Sequence, residues 1–221
     1  MERLKDRPSA FLGRPAPLGG LLLLALALFL PAAPLSGQDR RFVGIHVGET
    51  RSRQLWDGPI SSRSARGFSL GVGVETSTPA PFLSIRLGLG YVRRGSEVWD
   101  DNLDPEGATP ANVRSHYLSV PLQGKVRWMI GPGAVYLFGG PAVDQLLATG
   151  CTRDLCTVIR EERPTVLSLT VGSGVSVDFG RAYRGELEIQ LTEGLTGAYR
   201  SEAWDIRYRT VELLLRAGVP F

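Results

Sequence analysis

Two histidines and two cysteines are the whole supply of strongly ligating nitrogen and sulphur in this 221-residue chain. His116 follows Ser115, and Asp100, Asp101 and Asp104 lie a short way upstream. These are the residue types of a nucleophile, a base and an orienting carboxylate. Neighbouring residues of a strand point to opposite faces, however. A Ser115–His116 pair on a strand therefore cannot converge on one substrate, so no catalytic residue is assigned and the chain reads as a non-enzyme. Cys151 and Cys156 bracket "CTRDLC", with no further metal ligands nearby, and the pair reads as a local disulfide in an oxidising compartment. The acidic "WDDNLDPE" has the oxygen ligands calcium takes but not the spacing of a calcium loop, so no metal is assigned. "GVGVET" has the glycines of a nucleotide loop without a helix to follow it, so no cofactor is assigned.

The richer chemistry is a set of charges that recur on one face of alternating segments. Arg86, Lys125, Arg127, Asp178, Glu186, Glu188, Glu212 and Arg216, together with Gln123 and Gln190, fall opposite rows of apolar residues. If that face is enclosed, its charges must pair, because an isolated buried charge is costly. The mixed signs point to a salt-bridged, hydrogen-bonded filling. A narrow path for ions or protons is the functional alternative.

The elements that carry these residues have period two. "SIRLGLGY" sets Ile85, Leu87, Leu89 and Tyr91 against Ser84, Arg86, Gly88 and Gly90. "VLSLTVGSGVSVDF" and "ELEIQLTE" repeat the pattern, which marks strands with one apolar and one polar face. Eight strands are expected, at 41–49, 66–75, 82–94, 115–128, 134–147, 165–179, 183–196 and 207–221, with a kink or bulge where Gly139, Gly140 and Pro141 interrupt the fifth. Their connections alternate long and short. "TSTPAP", "MIGPG" and "GRA" are short; "TRSRQLWDGPISSRSA", "GSEVWDDNLDPEGATPANVRS", "ATGCTRDLCTVIREERP" and "GAYRSEAWDI" are long and polar. In an up-and-down sheet all short turns then fall at one end and all long loops at the other, as in outer-membrane barrels. Aromatic residues gather at strand ends: Phe42, Phe82, Trp128, Tyr136, Phe179, Tyr183 and Phe221 towards the short turns, and Phe68, Tyr91, Tyr117, Tyr199 and Tyr208 towards the long loops. Two rims of rings suit the two interfaces of a membrane.

Residues 1–37 read as a signal peptide: a basic leader with Arg3, Lys5, Arg7 and Arg14, then the apolar run Leu21–Leu30, with cleavage after Gly37. Residues 38–221 are then one domain with 21 basic and 20 acidic side chains, which excludes nucleic acid as a partner on charge grounds. The apolar run is too short to span a membrane as a helix, and no later stretch is long enough either. A sheet with one wholly apolar face in lipid must close, because unpaired edge groups cannot be hydrated there. The fold class expected is all-β: an eight-stranded antiparallel up-and-down transmembrane barrel, its interior filled by side chains.

The last segment, "VELLLRAGVPF", resembles the final strand of bacterial outer-membrane barrels, which commonly alternates and ends in phenylalanine. That resemblance implies that Phe221 belongs to an insertion signal read by the barrel-assembly machinery. Over residues 67–221 the chain also resembles the PorT-like outer-membrane β-barrel proteins. The likeness is carried by "LGLGYVRRGSE", "HYLSVPLQGKVRW", "GAVYLFGGPAVDQLL", "LTVGSGVSVDFG" and "GELEIQLTEGLTG". It implies a bacterial outer-membrane location and the architecture of the small OmpA/OmpX-type barrels, with no particular activity. The function expected is structural or adhesive, with external loops that touch envelope components, other cells or ligands. The alternatives are a narrow channel or lipid-active barrel, and a secreted lipocalin-like barrel with its apolar face inward around a ligand.

Overall fold

The computed structural model describes residues 41–56, 61–99, 111–151, 161–180, 182–200 and 205–221. The segments expected as signal peptide and as the tips of the long loops, including Cys156 and the acids Asp100, Asp101 and Asp104, lie outside the described residues, as does the side chain of Cys151.

Eight long strands carry the fold: β1 (Arg41–Trp56), β2 (Ser61–Ser77), β3 (Leu83–Trp99), β4 (Ala111–Ile130), β5 (Gly133–Cys151), β7 (Thr165–Phe179), β8 (Tyr183–Gly194) and β10 (Asp205–Pro220). Two-residue strands β6 (Glu161–Glu162) and β9 (Tyr199–Arg200) pair with each other, and β9 pairs with the long-loop end of β10. Each long strand pairs antiparallel with the next, and β1 pairs with β10 from Phe42↔Pro220 to Trp56↔Ile206. The sheet is a closed barrel.

Side-chain alternation explains which way each strand faces. On β10, Val211, Leu213, Leu215 and Val219 point out, and Leu213 and Leu215 are 54% and 61% exposed. Glu212 and Leu214, between them, are buried. The same parity holds on β1, where Val43, Ile45 and Val47 face out, and on β8, where Leu187, Ile189 and Leu191 do. A one-residue slip would turn every apolar side chain inward, so the pattern pins the register. The result is an apolar exterior around a polar interior, an arrangement stable in lipid and costly in water. It is the inverse of a barrel that encloses an apolar ligand.

The short turns use glycine where a left-handed residue is required. Gly131 has φ 59° between β4 and β5, and Gly180 has φ 65° after β7. At Gly139–Pro141 the ladder to β4 lapses, between Pro121↔Ala142 and Gly124↔Gly139, without a change of register. Pairing with β7 runs without interruption through Gly139↔Val171, Gly140↔Thr170 and Pro141↔Leu169. Gly140 is needed for another reason: a Cβ there would sit 2.0 Å from the Leu122 carbonyl oxygen. The register shift between β4 and β5 lies at His116/Tyr117.

Strand ends also differ from expectation at the long-loop side. β1 runs on to Trp56, β3 to Trp99 and β4 starts at Ala111, so much of each polar connection is strand. About ten residues suffice to cross a bilayer, and the remainder carries the barrel beyond it. Polar residues on both faces hide the alternation there.

Candidate functional site

The barrel's interior divides into two halves. In the half near the short turns, β2, β3, β4, β8 and β10 each aim charges at the axis. Arg86 lies 2.6 Å from Glu188, 2.9 Å from Glu186 and 3.3 Å from Glu75. Lys125 lies 2.6 Å from Glu186 and 2.9 Å from Glu75, and Arg216 2.6 Å from Glu188. Arg86, Lys125, Glu186 and Glu188 are buried. Every carboxylate here meets at least two cations, so the network satisfies itself as a unit. Tyr136 Oη donates to Glu188 at 2.9 Å, while its ring lies 3.8 Å from Lys125 Nζ. Phe138 carries Arg86 on its face at 5.5 Å. These two rings occupy the room left by Gly174 and Gly172 on β7, where a Cβ would come within 2.6 Å and 2.5 Å of them. Inward glycines here are sockets for large neighbours.

Arg127, Asp178 and Arg184 form the rim of this half. Asp178 accepts from Arg184 at 2.7 Å and from Arg127 at 3.4 Å, and Arg184 stacks on the Phe42 ring at 3.8 Å. Phe42 and Tyr136 therefore belong to the interior, not to the lipid-facing rim where the sequence pattern had placed them. Phe82, Trp128, Phe179, Tyr183 and Phe221 do face outward at that end.

Above the network, His46, Arg94, Gln123, Gln190, Glu212 and Arg216 line a cavity of about 30 Å³, room for about two waters. Gln123 Oε1 and Gln190 Oε1 have no protein partner there. Glu212 is 2% exposed, and no salt bridge among the described residues includes it. Arg94 pairs with Asp144 at 2.6 Å, and Ser168 donates to the same carboxylate at 2.9 Å.

The half near the long loops is sealed differently. Val113, Tyr117, Val166, Ala198, Ile206 and Tyr208 form a buried cluster, with Leu146 packed against it. Tyr117 and Tyr208 meet edge to face at 5.9 Å, and Gln54 Nε2 donates to Tyr208 Oη at 3.2 Å. Both tyrosines were expected at the outer lipid interface, and both turn inward. Phe68 and Tyr91 do keep the outward position and pack at 5.3 Å. The side chain of Tyr199 lies outside the described residues.

Of the eight interior charges read from the sequence, five join the central network, Arg127 and Asp178 form the rim, and Glu212 stands apart. Glu75, Arg94, Asp144 and Arg184 were missed. Their parity was readable: Glu75 continues the inward row Ser69, Gly71, Gly73, and Arg94 continues Arg86, Gly88, Gly90. Ser115 is buried and close to Tyr208 Oη at 3.1 Å, whereas His116 lies on the opposite face, hydrogen-bonded through Nδ1 to Tyr91 Oη. The two cannot act on one substrate.

No family model matches this chain, and no curated protein does. Among solved structures it is similar to the outer membrane protein OprG from Pseudomonas aeruginosa, with 12% identity and a TM-score of 0.55 over 82% of this chain and 96% of that one. Its fold is that of an outer-membrane β-barrel. The barrel is also similar to Neisserial surface protein A, at 14% identity and TM-score 0.47 over 81% of this chain and 97% of that one. A third likeness is to the outer membrane protease OmpT from Escherichia coli, at 8% identity and TM-score 0.41 over 86% and 99%. At these identities the likeness extends to the fold alone.

Proposed function

We propose that this protein is an integral, non-conducting and non-enzymatic barrel of the bacterial outer membrane, exported by a signal peptide over residues 1–37. Its work is done by the external connections, in a structural or adhesive role towards envelope components, other cells or ligands. The observation that carries this reading is the double closure of the lumen, by the Arg86-centred ion pairs below and the Tyr117–Tyr208 cluster above. A filled interior of this kind braces the wall, and this favours the structural reading over the narrow-channel alternative. On the sequence stretches around Leu118–Leu122 and Tyr136–Pro141, we place the barrel among the PorT-like proteins. Phe221, outward-facing and tied by its N–H to the Arg41 carbonyl at 3.0 Å, is proposed to present the insertion signal to the assembly machinery. Cys151 and Cys156 are proposed to form a disulfide in the third long connection.

The test joins two measurements on detergent-extracted, folded protein. Gel mobility should change on boiling, and planar bilayers holding the protein should carry no single-channel steps. Discrete current steps would make it a channel. Recovery as a soluble protein with one mobility would remove it from the membrane altogether.

A further inference from the structure

On the outer wall, arginines of five neighbouring strands follow the apolar band. Arg51 and Arg53 point out from β1, Arg66 from β2, Arg93 from β3, Arg114 from β4 and Arg209 from β10, five strands that neighbour one another in the order β10-β1-β2-β3-β4. The register sets Arg51 directly opposite Arg66 and Arg53 directly opposite Arg209. Like charges facing each other across an antiparallel pair are destabilising. Local carboxylates answer part of this charge: Glu49 is 3.3 Å from Arg51 and 3.9 Å from Arg66, and Glu193 is 3.1 Å from Arg209. No ion pair among the described residues reaches Arg53 or Arg114. The Arg51 and Arg66 side chains are 60% and 77% exposed. By contrast, Leu147, Thr165 and Leu167, exposed at the long-loop ends of β5 and β7, carry no charge.

The arc begins where the lipid-facing surface stops. On β2, β3 and β10 the next outward residues towards the short turns are Phe68 below Arg66, Tyr91 below Arg93 and Val211 below Arg209, whereas Glu49 and His116 hold that place on β1 and β4, each about 7 Å along its strand. Guanidinium groups at that depth sit among lipid headgroups, and their planar fork matches phosphate oxygens. We propose that this arc binds the phosphorylated headgroup of an outer-leaflet lipid, with Arg51, Arg53, Arg66, Arg114 and Arg209 holding phosphate while Phe68, Tyr91 and Val211 meet the acyl chains. Continuity of charge and apolar surface on β2, β3 and β10 selects a lipid over a soluble polyanion. The site presupposes the lipid-embedded barrel, which the boiled-against-unboiled gel reads separately.

The test uses the full folded protein in detergent, incubated with bisphosphorylated lipid A, with the same lipid stripped of phosphate, and with inorganic phosphate, and read by native mass spectrometry. The phosphorylated lipid should be retained at least about tenfold better than the stripped one, as expected for one or more charge-assisted contacts. The triple variant Arg51→Gln, Arg53→Gln, Arg66→Gln should lose that preference while keeping its heat-dependent mobility. Glu49→Gln, which removes the competing carboxylate, should retain the lipid more tightly. Equal retention of both lipids, or a folded triple variant that binds like the parent, would overturn the proposal. So would inorganic phosphate that displaces the lipid at micromolar concentration, which would make this a site for a soluble anion. Should the triple variant fail to fold, Glu49→Gln decides alone, and unchanged or weaker retention sinks the idea.

Discussion

The two halves of the barrel's interior solve one problem in opposite ways. Near the short turns the axis is filled by Glu75, Arg86, Lys125, Glu186, Glu188 and Arg216, which touch each other. Near the long loops it is filled by Val113, Tyr117, Val166, Ile206 and Tyr208. Charges packed together are interdependent, since removing one leaves its partners buried and unpaired. Apolar side chains packed together lose area and contacts in proportion to what is removed. The first filling is stiff and unforgiving, and the second tolerates repacking. That difference suits a barrel whose membrane-embedded half is fixed by lipid and whose other end carries the long connections.

The sharpest way to break the comparison is Arg86→Met. Three carboxylates would lose a partner at once, and unfolding in denaturant should show a loss of about 3–5 kcal/mol. Replacing Arg86 and Glu188 together by leucine should cost clearly less than the sum of the single changes. Additive costs would mean that the ions do not act as a unit.

Next in size is Tyr208→Ala, at about 3 kcal/mol for a large buried side chain, measured by the same denaturation. Conductance should stay absent in that variant, because the ionic half still closes the lumen. Single-channel steps would show that the aromatic cluster is the only seal.

A smaller effect sharpens the picture inside the charged half. Tyr136→Phe removes a hydrogen bond to a carboxylate and should cost about 1.5–3 kcal/mol. Smallest is Glu212→Gln, where no ion pair is broken. It should change stability by less than about 1 kcal/mol, against several for Glu188→Gln. Equal costs at the two positions would mean that Glu212 shares the network's charge after all.

Much of this architecture was legible from alternation alone. The apolar rows on "SIRLGLGY" and "ELEIQLTE" place Arg86, Glu186 and Glu188 on the inner face without any structure, because strand parity is a property of the backbone. Partner choice was not legible. Arg86 meets Glu188 across strands 102 positions apart in sequence, and which residues share a height depends on the stagger of strands around the closed sheet. Aromatics misled for a related reason. Tyr117, Tyr136 and Tyr208 sit near strand ends, which suggested interface rims, but their parity is inward, and parity decides direction while position along the strand decides only depth. Glu75, Arg94 and Arg184 obey the parity rule too, near their strand ends, and Asp144 obeys it within β5, beyond the Gly139–Pro141 interruption that masks its alternation.

The meeting of Phe221 N–H with the Arg41 carbonyl, at the foot of the β1–β10 seam, makes the described barrel a cycle with no privileged first strand. A short linker there would join its two ends, and new ends opened between β1 and β2, at 57–60, would leave every described strand pair in place. Rearranged genes of this kind separate two roles that the natural order of strands confounds: what the wall needs in order to stand, and what the exporting cell needs in order to deliver it.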